Sequence, residues 1–271
     1  NTSSVSQTIT VNDNVPPVVP TAPSNITLTC SSQVPAMTSL TANDACGGSI
    51  TVPGVDSITP GQCANSYIIL RTWTFTDACG NTSSVAQTIT VNDNVPPTAP
   101  SAPANVTVAC ASEVPTAATL TATDNCGGII TGVPNDIVTP GDCPNSFTVV
   151  RTWTFTDSCG NASTVSQTIT VNDTIAPIVP QAPADVTLAC AADVPAMISL
   201  TANDNCQGAI TVQGVDVTTQ GNCPNSYTIV RTWTFTDTCG NTSSVSQNLT
   251  VNDTVAPVAP AAPADITLSG G

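Results

Sequence analysis

The sequence predicts an all-β protein, a tandem array of immunoglobulin-like β-sandwich domains with two disulfides each. The first reason is a constant period of about 80 residues, since Arg-Thr-Trp-Thr-Phe-Thr-Asp begins at Arg71, Arg151 and Arg231; such a period is typical of small domains in series. The second is composition, because Val, Ile and Thr stretches broken by Pro, Gly, Asn and Asp favour short strands and turns. The third is that the 12 cysteines fall four to a repeat.

The period also divides the chain. Complete repeats occupy residues 15–94, 95–174 and 175–254. Residues 1–14 have the sequence of the last strand of a preceding repeat, and residues 255–271 that of the first strand of a following repeat. Disorder is the alternative for a chain rich in Pro, Thr and Ser, but the apolar strand patterns and regular cysteines of each repeat favour folded domains.

Each repeat contains several short strands separated by turn residues. In the first repeat we expect strands over residues 25–30, 38–42, 49–52, 67–76 and 85–91. Strands of this length and spacing fit an immunoglobulin-like sandwich, and a small barrel is the alternative.

The longest strand alternates between two kinds of side chain. Its Thr residues are predicted to face solvent, and the opposite face is predicted to enter the core with Tyr67, Ile69, Arg71, Trp73 and Phe75. The arginine on this face is expected to extend to the edge of the core. Its natural ion-pair partner is Asp56, which recurs as Asp136 and Asp216.

The cysteines favour disulfides and an oxidising compartment. A four-cysteine zinc site is the alternative, but it usually contains close CxxC pairs, which this chain lacks. In a seven-stranded sandwich the second and sixth strands end at the same pole, which places Cys46 with Cys79 there and Cys30 with Cys63 at the other pole. The predicted pairs are Cys30–Cys63, Cys46–Cys79, Cys110–Cys143, Cys126–Cys159, Cys190–Cys223 and Cys206–Cys239.

Composition also excludes several functions. The chain has 18 acidic and 3 basic residues and no His, with a formal net charge of −15. Nucleic acids and anionic membrane surfaces require clustered basic residues, so neither is an expected partner. The sequence shows no phosphate-binding loop and no Ser/His or Cys/His pair, so we predict no enzymatic activity. No segment is long and apolar enough to span a bilayer.

One group of residues is a candidate metal site. An Asn-Asp pair precedes each repeat, and the sandwich topology brings it to the pole of that repeat which carries two further aspartates. Carboxylate and amide oxygens at such a junction are suitable ligands for Ca²⁺. The alternative is that these residues only form turns. The candidate ligands are Asn12, Asp13, Asp44, Asp77, Asn92, Asp93, Asp124, Asp157, Asn172, Asp173, Asp204 and Asp237.

The repeat resembles known extracellular modules. Its Asp-Asn-Cys-Gly-Gly at 124–128 and Thr-Asp-Ala-Cys-Gly-Asn at 76–81 are similar to hyalin-repeat (HYR) domains. The whole pattern resembles the tandem modules of large secreted surface adhesins of Bacteroidota-type bacteria. The segment at residues 12–16 resembles the calcium-binding linkers of cadherins. These resemblances imply export, a cell-surface location and roles in adhesion.

Two functions of different classes follow. The first is a rigid repeat stalk of a cell-surface adhesin, and the second is a subunit of a self-assembling extracellular filament or sheath. A glycan-binding module is a third alternative. The expected partners are neighbouring repeats or copies of the chain, with surface glycans or other cell-surface proteins as further candidates.

Overall fold

A computed structural model describes residues 1–223 and 225–264, and it confirms an all-β protein built from tandem β-sandwich repeats. Each repeat has six strands among these residues. In the first repeat they are β1 Ile26–Leu28, β2 Ser39–Asp44, β3 Gly48–Pro53, β4 Val55–Pro60, β5 Ser66–Thr76 and β6 Thr82–Asn92. A 3₁₀ turn, Ser31–Gln33, follows β1.

The other two repeats have the same elements. The second contains β7 Val106–Val108, β8 Thr121–Thr123, β9 Ile129–Thr131, β10 Val133–Pro140, β11 Ser146–Thr156 and β12 Ala162–Asn172. The third contains β13 Val186–Leu188, β14 Ser199–Asp204, β15 Gly208–Gln213, β16 Val215–Gln220, β17 Ser226–Thr236 and β18 Thr242–Asn252. The corresponding 3₁₀ turns are Ala111–Glu113 and Ala191–Asp193.

Each sandwich packs a four-stranded sheet against a two-stranded hairpin. In the first repeat the sheet order is β1-β6-β5-β4, and β2 pairs with β3. β1 runs parallel to β6, whereas β5 and β6 are antiparallel from Ser66 opposite Asn92 to Thr76 opposite Thr82. The end of β1, the start of β5 and the end of β6 therefore lie at one pole, which positions the site described below.

The core lies between the sheet and the hairpin. Trp73 and Phe75 of β5 are fully buried, and they pack with Ala42 of the hairpin. The Trp73 indole N–H donates to the carbonyl of Thr38 at 2.8 Å, so its only polar atom is satisfied. The predicted core face of the long strand is thus confirmed, and its threonines are exposed or only partly covered.

The structure corrects two predictions within the repeat. First, β4 was not predicted, because every one of its residues is exposed and it carries no alternating apolar pattern. Second, Arg71 does not extend to the edge: it is 4 % exposed, and its guanidinium forms a two-point ion pair with Asp56 at 2.7 and 3.0 Å. The ion-pair partner was predicted correctly, and β4 is the strand that supplies it.

The described residues group into two compact units. One comprises residues 1–104, 117–136 and 151–167, and the other comprises residues 105–116, 137–150 and the remainder from 168. Each unit holds a complete repeat with part of the second repeat, so each contains one junction between consecutive repeats. No helix of the described residues is long and apolar enough to cross a membrane.

The segments outside the repeats carry no strand where they are described. Residues 1–14 are almost entirely exposed and have no regular secondary structure. Residues 255–264 likewise form no strand, and the remainder of the predicted first strand at 255–271 lies outside the described residues.

Candidate functional site

The most distinctive chemical feature is a joint that links consecutive repeats through two disulfides. Cys30 and Cys63 of the first repeat bond to Cys126 and Cys159 of the second. The second joint repeats this pattern with Cys110–Cys206 and Cys143–Cys239. All four bridges span 96 residues, with Cα–Cα distances of 5.0–5.1 Å that are ordinary for disulfides.

The six predicted pairs within repeats are therefore wrong, namely Cys30–Cys63, Cys46–Cys79, Cys110–Cys143, Cys126–Cys159, Cys190–Cys223 and Cys206–Cys239. The assignment of cysteines to poles was sound, because Cys30 follows β1 and Cys63 precedes β5 at the same pole. The error was to assume that every cysteine pairs with another cysteine of its own repeat. Cysteines at that pole bond to those at the opposite pole of the next repeat.

Four cysteines remain as exposed thiols: Cys46, Cys79, Cys190 and Cys223. They are the counterparts, in the outer repeats, of cysteines that form bridges in the two joints. The number of bridged cysteines in a repeat thus depends on the joints in which that repeat takes part, and not on its own sandwich.

Asparagine side chains complete each joint. The Nδ2 group of Asn161, which follows Cys159-Gly160, donates to the backbone carbonyl of Asp93 at 3.1 Å. The same amide donates to Asp157 Oδ2 at 2.8 Å, so it ties the linker between repeats to a turn of the second repeat. Asn125 Nδ2 lies 3.1 Å from Cys30 Sγ, beside the bridge.

The same contacts recur elsewhere in the chain. Asn241 Nδ2 donates to the carbonyl of Asp173 at 3.1 Å, and Asn205 Nδ2 lies 3.3 Å from Cys110 Sγ. At the start of the first repeat, Asn81 Nδ2 donates to the carbonyl of Asp13 at 3.2 Å. No role at the junctions was predicted for these asparagines from the sequence. The signal was available in the constant Cys-Gly-Asn that follows each long strand.

Carboxylates also converge at each junction. Asp13, Asp44 and Asp77 each offer an oxygen within 4.8 Å of the others, as the sequence predicted for this trio. Asp93 meets Asp124, and Asp173 meets Asp204, in the same way. In these two groups the third member is a cysteine, Cys126 or Cys206, in place of Asp157 or Asp237. Both cysteines are in disulfides, so they offer no thiolate for a metal.

Several of these carboxylates are buried with an oxygen that accepts no hydrogen bond. Asp44, Asp173 and Asp204 are 5–8 % exposed. Among the described residues, Oδ1 of Asp44 and of Asp124 and Oδ2 of Asp173 and of Asp204 have no donor. Buried carboxylates are normally paired or hydrogen-bonded, and these oxygens are free to act as metal ligands.

The remaining predicted ligands have other roles or positions. Asp157 Oδ1 accepts from the backbone N–H groups of Cys159 and Asn161, each at 2.8 Å, and Asp237 makes the equivalent contacts. The three predicted asparagines are exposed and lie next to the clustered aspartates in the chain: Asn12, Asn92 and Asn172.

Electrostatics within the first cluster shift two ionisable groups. The hydrogen bond from the Asn81 side chain, aided by backbone N–H groups, holds the pKa of Asp77 below its ordinary value. The negative charge of Asp13 is the main cause that raises the pKa of the nearby Cys46 thiol, with Asp44 contributing in the same direction. The cluster is thus strongly negative, and no basic side chain belongs to the group.

The fold and the joints define a class of protein, the disulfide-braced tandem β-sandwich repeats of extracellular or cell-surface type. The sequence profile of the HYR-like domain with four cysteines matches residues 18–91, 98–171 and 178–251. The chain therefore belongs to this HYR-like family and contains three tandem members of it. No curated protein matches the chain.

Proposed function

We propose that the chain is part of the stalk of a cell-surface adhesin, a structural spacer whose joints resist unravelling under tension. The extracellular type of HYR-like repeats and the disulfide-linked joints support this proposal. An adhesin stalk transmits force between the cell and a bound surface, and the two bridges at each joint carry such force covalently from one repeat to the next.

The observation that carries the proposal is the covalent path through the bridges. Tension that reaches Cys30 passes to Cys126, along the chain to Cys143, and then to Cys239. This path uses the 17 residues from Cys126 to Cys143, whereas the backbone from Cys30 to Cys239 is 209 residues long. Even if all three sandwiches unfold, most of the chain is therefore shielded from force.

Single-molecule stretching tests this function. At about 3.4 Å per extended residue, the 17-residue path limits the distance between Cys30 and Cys239 to roughly 60 Å. After reduction the same segment extends to roughly 700 Å, so the stretched length should rise by about 650 Å. An oxidised protein that extends as far as the reduced one would overturn the proposal. Cys46→Ser with Cys79→Ser is the matched control, because these thiols are in no bridge.

We further propose that each carboxylate cluster binds one Ca²⁺ and stiffens the linker beside it. Three carboxylates meet at the first cluster and two at each of the others, and each cluster includes a buried oxygen without a donor. Ca²⁺ accepts six to eight oxygens in flexible geometry, and the backbone oxygens of the linker and water complete such a set. The three arginines form ion pairs with Asp56, Asp136 and Asp216, so they do not neutralise the clusters.

Calorimetric titration with CaCl₂ tests this site. We expect three ions per chain and a rise in Tm, since a ligand at a hundred times its Kd stabilises a protein by about 2.7 kcal/mol. Asp204→Asn should reduce the stoichiometry by one, because it removes charge from the third cluster. Asp193→Asn is the control in the same repeat, as Asp193 is exposed in a 3₁₀ turn. Titration without heat, together with an unchanged Tm, would contradict calcium binding while leaving the spacer function intact.

A further inference from the structure

An open groove recurs at the same place in all three repeats. It lies on the outer face of the four-stranded sheet, the face turned away from the hairpin, at the pole where β5 begins and β6 ends. Its volume is about 300 Å³ in the first repeat, 180 Å³ in the second and 290 Å³ in the third. The second repeat takes part in a joint at each of its poles, so the groove is a property of the repeat itself.

A row of side chains that crosses the whole sheet runs along the groove. In the third repeat this row consists of four threonines on directly paired positions: Thr187, Thr250, Thr228 and Thr219. The first repeat has the same row with Ile68 at the position of Thr228. Neighbouring strands lie about 4.7–4.9 Å apart, so the hydroxyl groups of the row form a closely spaced line.

The start of β5 and the turn before it form the wall of the groove. Asn92 pairs with Ser66 in the register of β5 and β6, and the backbone N–H of Gly61 donates to the carbonyl of Ser66 at 2.6 Å. Only glycine allows this close approach, because a Cβ on Gly61 would overlap with the carbonyl and the hydroxyl of Ser66. The same glycine recurs as Gly141 and Gly221, so each repeat builds the same wall.

The polar side chains of the groove are neutral, and each can both donate and accept a hydrogen bond. In the first repeat they are Thr27, Thr59, Ser66, Thr90 and Asn92. Within the described part of the chain, none of these side chains bonds to another protein group. Hydroxyls elsewhere on the same face do pair with each other, as Thr232 and Ser246 do at 3.2 Å. The hydrogen-bonding capacity of the groove is therefore available to a ligand.

The composition of the groove differs from that of the rest of the sheet face. Four of its polar residues are the same in every repeat, with these counterparts of Thr59, Ser66, Thr90 and Asn92: Thr139, Ser146, Thr170 and Asn172, then Thr219, Ser226, Thr250 and Asn252. In the adjacent row of the same face, Ser57 is replaced by Ile137 and Val217. An exposed strand position in this sheet therefore accepts apolar residues, and the polar set is particular to the groove.

We propose that each groove binds a sugar unit of a neutral polysaccharide. Sugar hydroxyls both donate and accept hydrogen bonds, as the groove side chains do, and the threonine methyl groups can contact the C–H groups of a sugar ring. A neutral ligand fits because the groove carries no charge, whereas the net charge of −15 on the chain repels anionic polymers. The grooves lie at or below the lower end of the roughly 300–1,000 Å³ range of pockets that enclose small molecules, which suits a polymer that extends beyond each groove.

Repetition of the groove strengthens such binding. A polysaccharide held at one groove meets a second groove of the same chain at a high effective concentration, wherever its length allows it to reach. Long polymers should therefore bind more tightly than short oligosaccharides of the same sugar. The repeats then contribute to adhesion along their own length, and this inference rests on the grooves and not on the spacer function.

Affinity electrophoresis in gels that contain dextran, laminarin or galactomannan tests the proposal. We expect at least one of these neutral polysaccharides, but not the anionic alginate, to retard the chain. Valine keeps the β-branched shape of threonine and removes only its hydroxyl, so the groove variant carries Thr59→Val, Thr90→Val, Thr139→Val, Thr170→Val, Thr219→Val and Thr250→Val. The loss of two hydroxyls from each groove should weaken binding by about tenfold or more.

The matched control carries Thr74→Val, Thr154→Val and Thr234→Val, which change exposed threonines of the same sheet face outside the groove. It should bind as the unmodified chain does. Retardation by none of the neutral polysaccharides, or an equal loss in both variants, would overturn the proposal. Self-association without polysaccharide that the groove variant abolishes would also overturn it, because the grooves would then be contacts between copies. None of these results affects the stretching test, which depends on the bridges at the two joints.

Discussion

Replacement of the four cysteines of the first joint by serine is expected to split one cooperative unfolding transition into two. The variant carries Cys30→Ser, Cys63→Ser, Cys126→Ser and Cys159→Ser, and it leaves the sandwich cores intact. A bridge that closes a loop near 100 residues stabilises the folded state by about 4–5 kcal/mol in the chain-entropy model. In a repeat protein the stabilisation from such a bridge couples the unfolding of neighbouring repeats. Without the bridges of the first joint, the first repeat should therefore unfold independently. Differential scanning calorimetry measures both transitions.

The matched control for this experiment is Cys46→Ser with Cys79→Ser. These cysteines occupy the same positions in the first repeat as Cys126 and Cys159 do in the second, but they are in no bridge of the structure. The control should therefore keep the Tm and the transition shape of the unmodified monomer. A four-serine variant that melts in one transition at the original temperature would show that the joint does not couple the repeats.

Trp233→Ala is expected to destabilise the third repeat by about 3–5 kcal/mol, the usual cost of deleting a large buried aromatic side chain. The indole is fully buried against Ala202 and Phe235, and its N–H donates to the carbonyl of Ile198 at 2.9 Å. A repeat of this size has a small core, so the loss is a large part of its total stability. Chemical denaturation followed by circular dichroism measures the change.

Two variants sharpen this test. Trp233→Phe keeps much of the buried ring but leaves the Ile198 carbonyl without its donor, so we expect an intermediate loss of about 1–3 kcal/mol. Thr234→Ala changes the neighbouring exposed residue of β17 and should alter stability by less than about 0.5 kcal/mol. Equal losses for Trp233→Ala and Thr234→Ala would contradict a core role for the indole.

The features that could be predicted from the sequence are those set within one repeat. The alternation of β5 exposes Thr74 and buries Trp73 and Phe75, because side chains on a strand alternate between faces. The ion-pair partner of Arg71 could be predicted because an aspartate recurs at the position of Asp56 in each repeat. β4 escaped prediction because its residues are all exposed, so no apolar periodicity marks it.

The features that could not be predicted depend on contacts between repeats. The pole at which Cys30 and Cys63 lie could be predicted from strand direction. Their bonding partners could not, because these depend on how the next repeat is placed and no local sequence pattern encodes that placement.

The carboxylate clusters were predictable in part. The convergence of Asp13 with Asp44 and Asp77 was predictable, since linker and pole are adjacent in any sandwich of this topology. In the later clusters, the bridged Cys126 and Cys206 stand close to the aspartates, where Asp157 and Asp237 were expected.

The span of the bridges also constrains how the protein is made. Cys30 cannot reach its partner until residue 126 has been synthesised and its repeat has folded, so every bridge waits for the following repeat. The bridges therefore form in chain order, those of the first joint before those of the second, and each joint closes one repeat behind synthesis.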